Sequence, residues 1–272
     1  MSGDEKRQVL EFWDEAACGE KLLLPTLDRS GFARQSAERY RLEPYIVDFA
    51  HFDSWAGKRV LEIGVGLGAD HQRFVEAGAR TTGVDLTPRA IDMTRRRLQA
   101  FGLESELLVA DAENLPLADD EFDLVYSWGV IHHSPDTGRA VQEVLRVLKP
   151  GGVARIMIYS KWSLVGLILW LRYALLRARP LTRLREIYAN YLESPGTKAY
   201  SSAEARRLFA QFCAVSVRTV LSHGDLLSSG AGQRHAGVAL NVARRIWPRW
   251  FISRFLKGRG LFMMIDARKP LT

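Results

Sequence analysis

The sequence is poor in cysteine and in long hydrophobic runs. Cys18 and Cys213 are its two cysteines among 272 residues. Two thiols cannot form a disulfide framework or a four-thiolate metal site, which excludes small disulfide-rich and zinc-ribbon proteins. The longest apolar run covers residues 162–171 and stops at Arg172. Because about ten residues reach only half-way across a bilayer, we predict no transmembrane helix.

A secretory leader is also missing from the first residues. Residues 1–7 are mostly polar or charged, and no apolar stretch follows them. Without a leader or a set of cysteines, we expect a cytoplasmic protein. The apolar fraction of 47% and the charged fraction of 25% are those of a globular chain.

Acidic residues are scarce in the second half of the sequence. Residues 1–150 carry 18 Lys and Arg against 26 Asp and Glu, whereas residues 151–272 carry 20 against 5. The net charge of +7 therefore combines an acidic first part with a strongly basic second part. This asymmetry favours contact with an anionic membrane, a nucleic acid or an acidic ligand, and a solvated basic surface is the plain alternative.

Short apolar segments alternate with helical patterns between about residues 58 and 160. Strands are predicted at residues 60–63, 81–84, 107–109, 122–126 and 153–158. Helices are predicted at residues 69–77, 88–100 and 136–148. Strands that alternate with helices and are buried on both faces indicate a parallel sheet in an α/β fold.

The remaining segments are predicted to decorate this core. Residues 1–57 form an N-terminal helical cap, and residues 160–198 and 222–258 form two insertions rich in aromatic and basic residues. Two further strands are predicted at residues 214–221 and 261–267. We therefore expect a single domain over residues 1–272 with its core at 58–160.

A glycine-rich turn follows the first predicted strand. Gly64, Gly66 and Gly68 occupy alternate positions after Glu62 and precede a helix. Glycine lets the backbone turn tightly and approach a ligand, and the free N–H groups of the helix face the same place. The spacing differs from that of dinucleotide binders. The carboxylate suits a ligand with a positive group, since it would repel a diphosphate.

Carboxylates also follow the second and third predicted strands. Asp85 ends the second strand, where a carboxylate can accept both hydroxyls of a ribose. Asp111 and Ala112 follow the third strand and could hold the edge and face of an adenine, with Leu86 on the other face. Singly, such residues are often turn glycines or helix caps, but the set as a whole favours a binding site.

Taken in order, these segments resemble the class I S-adenosylmethionine (SAM)-dependent methyltransferases. The segments are residues 62–68, 83–85, 111–116, 122–125 and 147–152. The likeness is to the small-molecule, type 11 group, which includes the quinone C-methyltransferases. It implies SAM as the cofactor and a Rossmann-like, mainly parallel seven-stranded sheet with an antiparallel last strand and helices on both faces.

The resemblance also implies roles in cofactor binding. The carboxylate and glycines after the first strand would line the methionine side of SAM, Asp85 would bind the ribose, and Asp111 with Ala112 would bind the adenine. The aromatic face of Trp128 would suit the sulfonium. The predicted cofactor residues are Glu62, Gly64, Gly66, Gly68, Asp85, Leu86, Asp111, Ala112 and Trp128.

The residues after the fourth strand disfavour several branches of the family. Residues 127–130 lack the Asp or Asn, two prolines and aromatic of the DNA amino-methyltransferases, so no DNA partner is expected. No cysteine lies nearby to act as the nucleophile of a cytosine C5 enzyme, and arsenite methyltransferases need more thiols. His132, His133 and Asp136 could mimic a metal site, but adjacent histidines rarely point the same way, so no metal is predicted.

Methyl transfer needs alignment and, for a hydroxyl or a protonated amine, a general base. His132 and His133 lie just beyond the fourth strand, at the carboxyl edge of the sheet where ligands bind. We predict that one of them is catalytic and favour His133, with helix capping or packing as the alternative. The predicted substrate contacts are Tyr40, Tyr45, Tyr159 and Trp162.

The predicted acceptor is a small hydrophobic molecule such as a quinone, a lipid-like compound or a natural product. Residues 160–185 and 243–257 mix tryptophan, phenylalanine and arginine, which suits a membrane interface. We expect an enzyme that docks peripherally on the anionic inner face of a membrane, and a pocket lid or a homodimer face is the open alternative.

Other functions remain open at this point. The chain could methylate a polar anionic metabolite, RNA or a protein as a fully soluble enzyme, although we find no recognisable RNA-binding module. It could also be a binding protein without activity, although its glycines and carboxylates are intact. A nicotinamide oxidoreductase is disfavoured by the glycine spacing and by Glu62.

Overall fold

A seven-stranded sheet forms the centre of the structure. The computed structural model describes residues 2–15, 20, 24, 26–228 and 245–271. The strands are β1 (Arg59–Ile63), β2 (Arg80–Asp85), β3 (Glu106–Val109), β4 (Phe122–Trp128), β5 (Leu148–Tyr159), β6 (Cys213–Val220) and β7 (Phe262–Arg268). Their order is β3-β2-β1-β4-β5-β7-β6. Strands β1 to β5 pair in parallel and β7 is antiparallel to both neighbours, which confirms the predicted α/β fold.

Helices surround this sheet, and several of them begin at a residue whose side chain caps the first turn. They are α1 (Ser2–Glu15), α2 (Arg29–Leu42), α3 (Tyr45–Ala50), α4 (Ala69–Glu76), α5 (Pro88–Phe101), α6 (Thr137–Val147), α7 (Leu164–Tyr173), α8 (Leu184–Tyr191), α9 (Ser202–Leu208) and α10 (Arg249–Phe255). The Thr87 side chain accepts a hydrogen bond from the Ala90 N–H, and Pro88 occupies the first turn, as predicted for α5. Among the described residues, no helix is both long and apolar enough to cross a membrane.

Strand β5 is longer than the sequence predicted. Residues 149–152 were expected to form a turn, yet they continue the strand. The pairing absorbs these residues as an irregularity, because Leu148 lies opposite Phe122 and Val153 lies opposite Leu124. Gly151 has a φ of 76°, a conformation that a side chain disfavours. Cys18 and residues 229–244 of the second insertion lie outside the described residues.

The two faces of the sheet carry separate hydrophobic cores. Leu61 and Val125 pack toward a cluster that includes Val144 of α6. Val60 and Leu124 pack toward the other cluster, with side chains of α3 and α4. Adjacent residues of β1 and β4 thus face opposite cores, since side chains alternate along a strand. Burial on both faces leaves the ends of the strands as the places where polar groups can gather.

Asp225 joins the two insertions to the sheet. Its carboxylate accepts hydrogen bonds from the backbone N–H groups of Val165 at 3.1 Å, Ser222 at 2.9 Å and Leu261 at 2.8 Å. Its carbonyl accepts a 2.9 Å hydrogen bond from the Trp247 indole. Burial raises the pKa of Asp225, although hydrogen bonds from Leu261 and Ser222 act in the opposite direction. The fully buried carboxylate therefore fixes the starts of α7 and β7, and the backbone carbonyl of the same residue holds a residue just before α10.

We expect Asp225→Ala to lower the free energy of unfolding by about 3 kcal/mol, because it leaves several buried N–H groups without acceptors. Chemical denaturation of the variant and the parent protein measures the change. Asp53→Ala is the control, since Asp53 is exposed. Equal losses for the two variants would show that Asp225 does not join the insertions to the sheet.

Candidate active site

The turn after β1 opens onto a cavity at the carboxyl edge of the sheet. Gly64, Gly66 and Gly68 have φ values of 84°, 53° and 73°, which glycine adopts without strain. A Cβ at Gly64 would lie 2.1 Å from a Val130 methyl, so the turn packs closely on the segment after β4. A Cβ at Gly66 would meet nothing within 4 Å and would project into open space. The turn therefore brings bare backbone to the cavity.

Asp85 lies at the end of β2, opposite this turn. One of its oxygens accepts a hydrogen bond from the Gly66 N–H at 3.2 Å, and the other accepts from the Thr87 N–H and hydroxyl at 3.0 and 2.9 Å. Burial raises the pKa of Asp85, although the hydrogen bonds from Thr87 and Gly66 act to lower it. These bonds fix the carboxylate at the cavity wall, where a ribose could bind.

Helix α1 covers the region after β3. Lys6 donates to Asp111 at 2.5 Å and to Glu113 at 2.7 Å, and Val9 is buried beneath the helix. Glu113 also accepts a hydrogen bond from the Asp136 N–H at 2.8 Å, so it links α1 to the start of α6. The N-terminal helix thus closes one side of the cavity, and its lysine neutralises the carboxylates there.

Glu62 contacts a buried histidine. Its Oε2 lies 3.1 Å from Nδ1 of His71, and Nε2 of the same ring lies 2.8 Å from the Ser105 hydroxyl. That hydroxyl donates to the carbonyl of Thr81 at 2.7 Å, so Nε2 must supply a proton to Ser105. Burial lowers the pKa of His71 to about 4 and raises the pKa of Glu62 well above its usual value. Burial thus disfavours the charged form of both groups, and their 3.1 Å contact joins the end of β1 to α4.

A second acidic group, Asp70, lies in the cavity wall at the start of α4. Arg39 binds its two oxygens at 3.1 and 2.6 Å, and the hydroxyls of Tyr40 and Tyr126 each donate to it at 3.0 Å. Burial alone would raise the pKa of Asp70, but Arg39 and these hydrogen bonds lower it below its usual value. Tyr40, a predicted substrate contact, is not among the residues that line the cavity, and its hydroxyl binds this ion pair from behind the wall.

The two adjacent histidines have different surroundings. His133 lines the cavity and is 5% exposed, whereas His132 is fully buried between the rings of His133 and Tyr159, with centroids 4.2 and 4.1 Å away. Burial lowers the pKa of His132 well below its usual value. Of the two, His133 has the position that a base requires. The catalytic role of either ring stays a prediction.

Glu193 lies beside His133, at the far end of the first insertion. Its Oε2 accepts a 2.7 Å hydrogen bond from the Tyr159 hydroxyl and lies 3.4 Å from Nε2 of His133. Burial would raise the pKa of Glu193, but its contacts with His133 and Tyr159 lower it. Glu193 is therefore an anion at the cavity wall.

The cavity has a volume of about 410 Å³ and contains most of the predicted site. Its walls include all of the predicted cofactor residues, namely Glu62, Gly64, Gly66, Gly68, Asp85, Leu86, Asp111, Ala112 and Trp128. Tyr159 also lines it. Tyr45 stacks on the outer side of Trp128 at 5.9 Å, and Trp162 is a surface residue with 54% exposure. Tyr45 therefore lies behind the cavity wall, and Trp162 lies outside the cavity.

Several lining residues escaped the sequence analysis. Arg39 lies in α2 and Glu43 directly after it, Glu193 lies in the first insertion, and His223 lies in the second. The Trp128 indole donates to Glu43 at 3.2 Å. The one signal in the sequence that could have indicated Glu193 was the scarcity of acidic residues after residue 150, because an isolated acidic residue in a basic segment often has a specific binding partner.

Residues 61–156 match a family model described as a methyltransferase domain. They form a class I, type 11 SAM-dependent methyltransferase domain. The match begins in β1 and ends in β5, so it contains the glycine turn, Asp85 and Asp111. The resemblance on which the cofactor site was predicted is therefore confirmed.

Similar proteins share parts of the chain or its fold. A phthiotriol/phenolphthiotriol dimycocerosates methyltransferase of Mycobacterium leprae is 40% identical over 99 residues, 36% of each chain. The chloroplastic tocopherol O-methyltransferase of Arabidopsis thaliana is 28% identical over 79% of this chain and 64% of its own. A SAM-dependent methyltransferase of Thermotoga maritima, described as a possible histamine N-methyltransferase, has a TM-score of 0.52 and 25% identity over 86% of this chain and 94% of its own. The chain spans 36% to 41% of the length of the first curated relatives that it matches.

SAM, the cofactor of this domain, fits the residues present. The open space in front of Gly66 leaves room for a ligand against the backbone. Lys6 and Arg39 line the cavity, and each is paired with carboxylates. Neither of these two cations is therefore available to bind a diphosphate. Asp85 and Asp111 instead supply acceptors for hydroxyl and amino groups.

We expect Asp85→Ala to weaken SAM binding about 10- to 100-fold, because a buried acceptor for the ribose hydroxyls is lost. Isothermal titration calorimetry with SAM measures the change. Asp123→Ala is the control, since Asp123 lies at the opposite end of β4 and binds the Arg59 N–H and Lys149. Unchanged SAM affinity in Asp85→Ala would contradict the predicted role of this carboxylate.

Proposed function

We propose that the chain transfers the methyl group of SAM to a small, mainly hydrophobic acceptor. The observation that carries the proposal is one continuous cavity, which extends from the glycine turn to an apolar region. The side chains of that region are Leu42, Met157, Val165, Leu192, Leu261 and Phe262. SAM supplies an electrophilic methyl carbon attached to a sulfonium. The chain's own task is then to align an acceptor with it and to exclude water.

The relatives support a lipid-like acceptor. One is named for phthiotriol and phenolphthiotriol dimycocerosates, and another for tocopherol. The apolar part of the cavity agrees with such acceptors, because a largely hydrocarbon molecule gains free energy when it leaves water.

Exposed apolar side chains concentrate in two basic segments. We define the basic apolar surface as residues 160–185 and 245–257. It contains Trp162, Leu167, Leu171, Leu175, Leu176, Leu181, Ile246, Trp250, Phe251 and Phe255, each more than a third exposed. The same two segments contain ten Lys and Arg and no Asp or Glu. Soluble surfaces rarely group large apolar side chains in this way.

The basic apolar surface adjoins the apolar end of the cavity. Val165 and Leu192, at either end of the first insertion's helices, line the cavity. Val165 and Trp247 are both held by Asp225, which brings the two segments of the surface together. A hydrophobic acceptor could therefore pass from a membrane into the cavity without crossing water. We include in the proposal that this surface docks peripherally on an anionic membrane.

We expect labelled methyl from SAM to enter the organic phase when the protein is incubated with an extract of cells of its source. The organic–aqueous partition of the label measures this, and Asp85→Ala provides the blank. Label confined to the aqueous phase would favour a polar metabolite, RNA or protein as acceptor. No transfer above the blank would contradict the proposed activity.

We expect the protein to sediment with vesicles that contain phosphatidylglycerol and phosphatidylcholine but not with phosphatidylcholine alone. Arg177→Glu with Arg179→Glu should weaken this binding about tenfold or more, because each cation near an anionic surface contributes about 1 kcal/mol. Both arginines are exposed. The matched control is Arg95→Glu with Arg96→Glu on α5, which also reverses two exposed arginines. Equal binding to both vesicles would exclude docking through charge.

A further inference from the structure

The ring of His133 is held by two hydroxyls on one side. Nδ1 lies 2.8 Å from the Ser194 hydroxyl and 3.1 Å from the Thr197 hydroxyl. The Thr197 hydroxyl donates its proton to the carbonyl of Ser194 at 2.6 Å, so toward His133 its oxygen can only accept. A proton on Nδ1 satisfies the Thr197 oxygen and the Ser194 oxygen together, and in that tautomer Nε2 presents a lone pair.

The opposite side of the ring lacks a donor. Among the described residues, Nε2 of His133 has no hydrogen-bond partner, and it is buried. Oε2 of Glu193 lies 3.4 Å from Nε2, and that carboxylate is an acceptor too. Two acceptors that face each other in a buried place need a proton from elsewhere. A ligand hydroxyl that points between them would supply it.

We propose that His133, positioned by Glu193, takes a proton from the acceptor and that the group methylated is a hydroxyl. The inference rests on the proposed function and adds the class of reacting atom. His133 is the base, and Glu193 acts through it as a positioning residue. Tyr159 holds Glu193 in place through its 2.7 Å hydrogen bond.

The proton and the electron pairs balance in this step. The acceptor hydroxyl gives its proton to Nε2 of His133 while its oxygen forms a bond to the methyl carbon. The electrons of the carbon–sulfur bond stay on sulfur, which leaves S-adenosylhomocysteine and a methyl ether. The imidazolium that forms is next to the Glu193 carboxylate, which stabilises its charge, and it later returns the proton to water.

A hydroxyl suits these surroundings better than an amine does. A neutral amine has a free lone pair and needs no base before transfer, whereas a hydroxyl is a poor nucleophile until its proton leaves. A protonated amine would lose its hydration when it entered the apolar half of the cavity.

The class of reacting atom can be tested with four probes that share one carbon skeleton. These are 2-naphthol, 2-naphthylamine, naphthalene-2-thiol and naphthalene-2-carboxylic acid, each incubated with the 272-residue protein and labelled SAM. We expect transfer to 2-naphthol in preference to the others. Preference for another probe, or no transfer to 2-naphthol while the cell extract accepts label, would overturn the inference and leave the proposed function intact. No transfer to 2-naphthol or to the cell extract would overturn both the inference and the proposed function.

The roles of the two residues can be tested with His133→Asn and Glu193→Gln. We expect kcat with 2-naphthol to fall about 100-fold or more for His133→Asn and about tenfold or more for Glu193→Gln, with an unchanged KM for SAM. Glu186→Gln is the matched control, because Glu186 is exposed on the adjoining helix α8. A rise of KM without a fall of kcat, or an equal fall of kcat for Glu186→Gln, would contradict the assignment.

A binding measurement provides a readout that does not depend on turnover. With S-adenosylhomocysteine present, calorimetry should show that 2-naphthol binds about tenfold more tightly than naphthalene, because its hydroxyl bridges the two acceptors. Glu193→Gln should remove most of this difference while SAM affinity stays the same. Equal binding of the two ligands to the parent protein would overturn the inference.

Discussion

Buried carboxylates must be neutralised or hydrogen-bonded, and this requirement fixes the elements outside the sheet. Asp70 holds α2 through Arg39, Glu113 holds α1 through Lys6, and Asp225 holds both insertions through backbone N–H groups. In each case the acid is buried or half-buried and its partners come from distant parts of the chain. Leaving a carboxylate unpaired in such a place costs free energy. Each of these contacts therefore strongly favours one arrangement of the elements that it joins.

The sheet and these contacts divide the cavity into two chemical halves. The half next to β1, β2 and β3 presents backbone and carboxylates, and its cations are paired. The half next to β5, β7 and the insertions presents apolar side chains around Glu193 and His133. Parallel strands end at a common edge, so residues far apart in sequence meet there. The first half suits a cationic cofactor, and the second suits an apolar molecule with one reactive polar group.

The cofactor half could be read from the sequence because its residues follow strands at fixed distances. Gly64, Asp85 and Asp111 each come directly after a strand, and the parallel sheet alone brings them together. The acceptor half could not be read in this way. Glu193 reaches His133 only because Ser194 and Thr197 bind the same ring, and no spacing along the chain predicts such a contact. Tyr40 and Tyr45 were expected to meet the substrate, but their hydroxyl and ring have partners behind the wall.

The sequence by itself determined the order of strands and helices and the glycine turn, and it predicted the cofactor site, because these depend on local periodicity and on residues adjacent to a strand end. It also determined that the second half is basic and contains an apolar run. Only the tertiary structure decided which histidine faces the cavity, which carboxylate stands beside it, and how the two basic segments meet next to the cavity. Those features depend on contacts between residues tens to hundreds of positions apart, such as those of Asp225 with Val165 and Leu261, and only the folded packing specifies them.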